Sequence, residues 1–205
     1  MSDNQLKEDK QSFITEARRE QIIEAAIKTL DEIGFVKASL AQIAKRAGIS
    51  TALISYHFAG KNDVMDHLLM TLLDQSTSYI LQRVHLEKTP NEKLKTFIHA
   101  SLDYQVTHPA HHIALIEIVF HARTPDNTPY YKLNDDKDPI LKELEQILQN
   151  GQNEGLFGDF HVDVMANMIQ GAIGEYMFNA PLMEKVDVQM YSTEFIQIVE
   201  KALKN

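Results

Sequence analysis

The sequence predicts an all-α protein of about nine helices. Apolar residues recur at spacings of three and four along most of the 205-residue chain, and no segment shows sustained alternation of apolar and polar residues. Capping residues and prolines stand where several of these periodic segments begin, as in Thr89-Pro90-Asn91-Glu92. These observations argue against a β-sheet protein and favour a chain of helices joined by short turns.

The first predicted helix runs from about Thr15 to Ile33 and ends at Gly34. The polar segment before it, MSDNQLKEDKQS, carries mixed charges and no periodic apolar residues, so we expect residues 1–12 to be a disordered tail. We place a first domain at residues 13–60 and a second helical domain at residues 61–205.

The segment GFVKASLAQIAKRAGISTALISYHFAGK, residues 34–61, contains the most informative pattern. Ser39 can cap a short helix whose third residue is Gln42, which is a capping-box pattern. Gly48 can supply the positive φ that a sharp helix end needs, and Ser50 can cap a second short helix. Two short helices joined by a glycine turn are typical of a helix-turn-helix, whose second helix enters a DNA major groove about 12 Å wide.

On the second helix of this motif we expect Leu53, Ile54 and Phe58 to point inward and the polar residues to point outward. Hydroxyl groups and helix N-termini commonly hold phosphates, and side chains at the leading end of the helix reach base edges. No Arg, Asn or Gln lies on this helix, so no strong bidentate base contact is visible. The expected DNA-contacting residues are Ser39, Gln42, Ser50, Thr51, Ala52, Ser55, Tyr56, His57 and Lys61.

The net charge of −9 is unusual for a DNA-binding protein, but its distribution along the chain is uneven. Residues 13–62 contain seven Lys or Arg and five acidic residues, which leaves this segment with a net charge of +2. Because charges are screened beyond about 8 Å at physiological salt, a mildly basic head can bind a specific site on an otherwise acidic protein. Binding to nonspecific DNA should be weak.

At these residues the chain resembles the TetR family of bacterial transcription regulators over roughly residues 15–65. The resemblance implies a helix-turn-helix head and a C-terminal ligand-binding and dimerisation body, with no catalytic role. It also implies a cytoplasmic homodimer that represses at a palindromic double-stranded DNA operator until an unknown small molecule binds. Many members have Gly, Thr and Tyr where this chain has Ala52, Leu53 and Ser55, so the operator sequence does not carry over. The matching pieces are Gly34-Phe35, Ser39-Leu40, Ile43-Ala44, Ala47-Gly48-Ile49-Ser50, Tyr56-His57-Phe58 and Lys61.

The remaining helices complete the layout of nine that this family shows, with starts near Lys61, Pro90, Pro109, Pro139 and Val162, and Asp187 as the cap of the last. Between the sixth and seventh helices, the polar stretch 124–138 is predicted to be a mobile loop or a gate beside a cavity.

The helices at 162–179 and 188–204 are the segments that pair between subunits in this family. Their apolar residues recur at helical spacing, and Gly171 and Gly174 would permit close helix approach. The alternative is an ordinary core stripe within one chain. The residues of this stripe are Met165, Met168, Ile169, Ala172, Ile173, Tyr176, Met177, Met190, Phe195, Ile198, Val199 and Ala202.

The resemblance also implies a small-molecule cavity between the fourth and eighth helices. Aromatic and Met side chains suit an adaptable apolar pocket, although an ordinary packed core is the alternative. Two acidic residues interrupt apolar runs and could bind a cationic ligand, form a salt bridge with Arg123 or a lysine, or face solvent. The expected lining is Phe97, Tyr104, His108, His112, Ile116, Glu117, Phe120, Met168, Glu175 and Tyr176.

Other functional classes find little support in the residues. The chain has no cysteine, so it has neither disulfides nor thiol catalysis, and no apolar run approaches the roughly 20 residues of a membrane helix. We expect no cofactor and no metal. One distant alternative is a metal-dependent hydrolase using the cluster from His108 to His121. A nearer one is a regulator of the same fold that answers to a protein partner or acts as an activator.

Overall fold

The structure, a computed structural model, describes residues 3–133 and 138–204. Across these residues the chain is helical, which confirms the predicted fold class. In chain order the helices are α1 (Asp3–Lys37), α2 (Leu40–Ala47), α3 (Thr51–His57), α4 (Lys61–Val84), α5 (Pro90–Thr107), α6 (Pro109–His121), α7 (Pro139–Asn153), α8 (Val162–Tyr176), α9 (Ala180–Met183) and α10 (Val188–Ala202).

The chain divides into two compact units. The first unit contains Met1–Leu73 and Ala110–Asn134, and the second contains Asp74–Pro109 and Asp135–Asn205. Helix α6 therefore belongs to the same unit as the helix-turn-helix, although it lies far along the sequence. The predicted boundary after residue 60 divides the chain differently from these compact units.

Helix α1 is longer than the sequence suggested and has a kink near its end. It includes residues 3–12, where a disordered tail was expected, while Met1 and Ser2 lie outside the described residues. The segment contains no Gly or Pro and is rich in Gln, Leu, Lys and Glu, which have high helix propensity. Gly34 has φ 73° and ψ 168°, so the helical path breaks there as predicted and resumes for one further turn.

The core of the first unit is made by the inward faces of α1 to α4 together with α6. Its apolar residues follow the three-and-four spacing on which the helix predictions were based. The buried residues include Ile22, Ala26, Leu30, Ile43, Ile54, Phe58, Met65, Leu68, Leu72, Ala114 and Ile118.

The second unit has a separate core, and its helix starts agree with the predicted caps. Thr89 and Glu92 form a complete capping box at α5, and Asp138 and Asp187 cap α7 and α10. The one-turn helix α9, which contains Pro181, was not predicted. The core includes Ile80, Val84, Leu94, Phe97, Ile98, Leu102, Leu144, Ile147, Leu148, Ala166, Ile169, Ile173, Tyr176 and Val199.

The stretch after α6 contains a closed turn and a short 3-10 segment. Thr124 and Thr128 close a turn, with the Thr124 N–H donating to the Thr128 carbonyl at 2.9 Å. A single 3-10 turn, Tyr130–Lys132, follows, and the Tyr130 hydroxyl bonds to the Asp66 carboxylate on α4. Mobility or a gate role for the stretch 124–138 stays a prediction, and residues 134–137 lie outside the described residues. None of the described helices is long and apolar enough to span a membrane.

Candidate nucleic-acid interface

The turn between α2 and α3 has the geometry that the sequence predicts. The Ser39 hydroxyl accepts a hydrogen bond from the Gln42 N–H at 3.4 Å, and the Ser50 hydroxyl accepts one from the Leu53 N–H at 3.2 Å. Gly48 has φ 67°, and its N–H donates to the Lys45 carbonyl at 3.3 Å. The two helices are thus capped and joined by a left-handed glycine, as in a helix-turn-helix.

Helix α3 presents one apolar face to the core and one polar face to solvent. Ile54 and Phe58 are buried, and Leu53 is half-buried, as predicted. Tyr56 is 76% exposed, so it lies on the outward side of the helix, as predicted. Of the expected DNA-contacting residues, Gln42, Ser50, Thr51, Ala52, Ser55 and Tyr56 are exposed.

Two expected contact residues of the motif lie less far outward than predicted. His57 is half-buried at the end of α3, with its ring edge-on to Tyr56 and the ring centres 5.0 Å apart. Ser39 is also half-buried, and its hydroxyl donates to the side-chain oxygen of Gln42 at 3.0 Å. Both residues lie at helix ends that pack onto neighbouring elements, and this packing removes part of their exposure.

Two polar side chains of α1 hold the ends of the motif helices. A guanidinium nitrogen of Arg19 donates to the His57 carbonyl at 3.2 Å, and the Gln21 amide donates to the Ala47 carbonyl at 2.7 Å. The last carbonyls of a helix have no partner within the helix, so these bonds satisfy groups that would otherwise need water. Sequence reasoning missed both residues, since nothing local in α1 shows which carbonyls they reach.

Lys61 is in contact with Phe35. Its ammonium donates to the Phe35 carbonyl at 2.6 Å and lies 4.3 Å from the centre of the Phe35 ring. Burial lowers the pKa of Lys61 below its ordinary value of 10.5. Lys61 was predicted to contact phosphate, and the structure gives its ammonium an additional role in holding the segment before α2.

Glu117 lies at the same segment and does not pair with Arg123 as one alternative supposed. Its carboxylate accepts a hydrogen bond from the Phe35 N–H at 2.7 Å, and the His121 ring nitrogen lies 3.5 Å from the same oxygen. That Glu117 lines a ligand cavity stays a prediction. The polar group it satisfies is a half-buried backbone N–H of the first unit.

The basic residues of the head are not all available for DNA. Arg46 forms an ion pair with Glu32, in which one guanidinium nitrogen lies 2.8 Å from a carboxylate oxygen. Hydrogen bonding by Arg46 lowers the pKa of Glu32. Lys37 and Lys45 are exposed. The net attraction of this surface for phosphate is therefore modest, in line with the small positive charge of the segment.

The expected ligand-lining residues are distributed over both compact units. In the second unit, Tyr104 and His108 stack with ring centres 4.5 Å apart, and Tyr79 lies 5.2 Å from Tyr104. Phe97 and Tyr176 are packed in the core, and the Tyr176 hydroxyl donates to the Val186 carbonyl at 3.0 Å. In the first unit, His112 and Ile116 are half-buried on α6. Burial lowers the pKa of His112.

Three expected lining residues lie instead at the surface of their own unit. Met168 is 64% exposed, Phe120 stacks on the exposed Tyr131 ring with centres 5.8 Å apart, and Glu175 is exposed. Helical spacing predicts an apolar run, but it does not determine which side of that run faces the core. Within the second unit, an open groove of about 420 Å³ is lined in part by Arg83, Lys95, His99 and Asp103.

Helices α8 and α10 expose part of the predicted apolar stripe. Ile169, Ile173, Tyr176 and Val199 belong to the core of the second unit, as the core-stripe alternative supposed. A Cβ atom added to Gly171 or Gly174 would meet no other atom within 4 Å. The apolar residues that remain exposed on and beside these helices are Val164, Met168, Phe178, Met190 and Ile198.

The histidines that suggested a metal site do not form one. Among the residues that the structure describes, no group of three or more His, Cys, Asp or Glu side chains could hold an ion. His121 instead bonds through its ring nitrogen to the Glu117 carbonyl at 3.0 Å and stacks on the Phe35 ring. This arrangement removes the geometric basis of the metal-dependent hydrolase hypothesis.

Comparison with known proteins identifies relatives of the whole head. Residues 22–68 match the family model described as bacterial regulatory proteins, tetR family. The HTH-type transcriptional regulator BetI 1 of Chromohalobacter salexigens is 33% identical over 87 residues, which are 42% of this chain and 43% of that protein. The HTH-type transcriptional regulator BetI of Escherichia coli is 27% identical over 158 residues, 76% of this chain and 74% of that protein.

The fold is shared with solved structures along most of the chain. The transcriptional regulator FadR of Bacillus subtilis, solved in complex with stearoyl-CoA, superposes with a TM-score of 0.74 at 23% identity. The match covers 87% of this chain and 96% of the FadR chain. By contrast, the alignment with the first BetI protein spans less than half of that protein's length.

Proposed function

The chain belongs to the TetR family of bacterial regulatory proteins, and from this premise we propose that it is a DNA-binding transcriptional regulator. It acts as a homodimeric repressor that binds a palindromic operator and leaves it when a small molecule binds the body. The relatives that it matches are named as transcriptional regulators rather than as enzymes.

The exposed face of α3 carries this proposal. Thr51 and Ala52 stand at the leading end of the helix, and Ser55 and Tyr56 continue its solvent-exposed side. An α-helix with its side chains is about 10–12 Å in diameter, which fits a major groove about 12 Å wide. The hydroxyl of Thr51 and the methyl of Ala52 can contact base edges, while the Tyr56 hydroxyl is suited to phosphate.

Dimerisation is supported by the exposed apolar residues on α8 and α10. Exposed Met, Val and Ile side chains on adjoining helices cost free energy in water, and a second copy of the chain would cover them. The open space above Gly171 and Gly174 would let a partner helix approach closely. A two-fold dimer would also place two copies of α3 in successive major grooves, because half-sites lie about one helical turn apart.

Small-molecule control is supported by a cluster of aromatic rings in the second unit and by a ligand bound to a protein of the same fold. The second unit contains a stacked Tyr104 and His108 pair beside Tyr79, a set of rings suited to an apolar or planar ligand. FadR of Bacillus subtilis, which has the same fold, was solved with stearoyl-CoA. For release, the effector must bind more tightly to the state whose two heads do not fit the operator.

Selection of binding sites from random duplex DNA tests the proposal directly. The purified chain is incubated with a random library at low salt, and the bound duplexes are sequenced after several rounds. We expect a palindromic site of about 15 to 20 base pairs, as a two-fold dimer requires. A library that shows no enrichment would contradict the proposal.

Long-chain acyl-CoA thioesters are the first effectors to screen, with release of the selected duplex as the readout.

A further inference from the structure

Phe35 is held by three side chains from two other helices. Its N–H donates to the Glu117 carboxylate of α6 at 2.7 Å, and its carbonyl accepts from the Lys61 ammonium of α4 at 2.6 Å. The centre of its ring lies 4.3 Å from the Lys61 ammonium and 6.3 Å from the centre of the His121 ring, which is stacked on it at 15°. We call Phe35, Lys61, Glu117 and His121 the Phe35 clamp.

The clamp acts on the segment that leads into the helix-turn-helix. Phe35 directly follows Gly34, whose φ of 73° breaks the path of α1. Val36, Lys37 and Ala38 alone separate Phe35 from Ser39, the N-cap of α2. Because this tether is short and Ala38 is buried in the core, a shift at Phe35 must move the start of α2.

The contact between Glu117 and the turn is close as well as hydrogen-bonded. A Cβ atom added to Gly34 would lie 3.2 Å from a carboxylate oxygen of Glu117. Hydrogen bonds to charged groups are stronger than neutral ones, and an N–H left without an acceptor in a half-buried site is costly. The carboxylate therefore fixes both the direction of the Phe35 N–H and the position of the turn.

We propose that Glu117 is a positioning residue for operator binding. Its carboxylate, supplied by α6, holds the Gly34–Phe35 turn and thereby sets the placement of α2 and of the reading helix α3 that packs on it. This inference rests on the proposed function, since it concerns how the head is shaped for DNA. In this proposal, α6 is linked to the head by the hydrogen bond between Glu117 and the Phe35 N–H, and both residues belong to the first compact unit.

Removing the charge of Glu117 changes the affinity for DNA in opposite directions under a positioning role and under a purely electrostatic role. Glu117 is acidic, so replacing it with a neutral residue should, by charge alone, slightly strengthen binding to every DNA sequence. Positioning predicts the opposite for the operator, because a misplaced turn weakens the specific contacts. Nonspecific binding, which depends on charge rather than on register, should not weaken.

The experiment compares Glu117→Ala, Glu117→Gln and the control Glu24→Ala in the full chain. Glu24 is exposed on α1, so its replacement removes one acidic charge of the head without touching the clamp. Amide hydrogen exchange at Phe35 reports the clamp, and binding to the selected operator and to a scrambled duplex reports positioning. Glu117→Gln retains a side-chain oxygen that can accept from the Phe35 N–H, so it serves as the conservative rescue.

For Glu117→Ala we expect about tenfold faster exchange at the Phe35 amide and about tenfold weaker operator binding, with scrambled-duplex binding unchanged or tighter. Glu117→Gln should stay within about threefold of the wild type in both measurements. Glu24→Ala should match the wild type in exchange at Phe35 and bind both duplexes equally or slightly more tightly. Unchanged exchange at Phe35 in Glu117→Ala would show that the carboxylate does not hold the turn. Faster exchange with full operator affinity would overturn the positioning role. If wild-type protein selects no site, the proposed function fails instead, and the exchange data still report the clamp.

Discussion

Arg19 of α1 donates a hydrogen bond to the backbone carbonyl of His57, 3.2 Å away, at the last residue of the reading helix. The same guanidinium lies 4.6 Å over the centre of the Phe58 ring. One side chain thus supplies a donor for a helix-end carbonyl and a cation for the adjacent aromatic face. The end of α3 is held by α1, so the placement of the reading surface depends on a residue that need not touch DNA.

Replacing Arg19 with Met should therefore destabilise the head. Met keeps the apolar stem but removes the hydrogen bond and the cation, so we expect a loss of about 1–2 kcal/mol in the free energy of unfolding. Chemical denaturation measures this loss, and operator binding should weaken in parallel. Lys28→Met is the matched control, because Lys28 is an exposed cation on the same helix. Equal losses for the two variants would contradict the assigned role of Arg19.

Tyr56 should contribute to DNA binding without contributing to stability. Its side chain is 76% exposed, so Tyr56→Ala removes little buried area and should leave the melting temperature unchanged. We expect operator binding to weaken about tenfold and by similar factors across operator variants, because phosphate contacts do not read sequence. Tyr56→Phe removes the hydroxyl alone, so it measures how much of the affinity depends on that group. Fluorescence anisotropy with a set of single-base variants measures the pattern, and a loss confined to one base position would refute a phosphate role.

Local features of the head could be predicted from the sequence because each depends on neighbouring residues only. Ser39, Gly48 and Ser50 act through hydrogen bonds or backbone angles that span a few positions. The contact of Glu117 with Phe35 joins positions 82 apart, and no local pattern indicates which backbone group a remote carboxylate reaches.

Burial on the last helices could likewise not be predicted from local sequence alone. Helical spacing identified Ile169 and Met168 equally well, since neighbouring positions on a helix both belong to a broad apolar face. The structure packs Ile169 into the core and leaves Met168 exposed. Which of the two is covered depends on the angle at which α8 meets its neighbours, and that angle is set by the packing of several helices together.

Gly48 should be required for its backbone conformation rather than for space. Its φ is 67°, and an added Cβ atom would meet no other atom within 4 Å. Gly48→Val should therefore destabilise the head by about 1–2 kcal/mol or more through left-handed strain on a β-branched residue. Gly48→Asn is the control, because Asn tolerates this conformation better. The free energies of unfolding of both variants test this, and equal stability of Val and wild type would contradict the turn geometry.

The capping box at α5 predicts a pH-dependent contribution to stability. Hydrogen bonds from Thr89 lower the pKa of Glu92 below its ordinary value of 4.5. A group whose pKa is lower in the folded state stabilises the fold above its unfolded pKa, and this contribution is lost as pH falls through the folded pKa. Glu92→Gln should therefore lower the melting temperature at pH 7, and the difference from wild type should shrink below pH 4.5. A difference that is constant with pH would show that the charge of Glu92 does not matter. Glu145→Gln on α7 is a suitable charge control.

Charge introduced on the exposed apolar face of α8 and α10 should prevent dimerisation. Met168 is 64% exposed and Ile198 is 59% exposed in the single chain, so replacing either with Glu does not disturb the core of its own unit. In a dimer these positions would be buried, and an unpaired buried carboxylate is costly. We expect Met168→Glu and Ile198→Glu to sediment as folded monomers at concentrations where the wild type forms the proposed dimer, and to bind the selected operator at least about tenfold more weakly. Gln197→Glu is the matched control, because Gln197 is exposed on α10 next to Ile198, and this variant should remain dimeric. If both substituted proteins stay dimeric, the subunits associate through another surface.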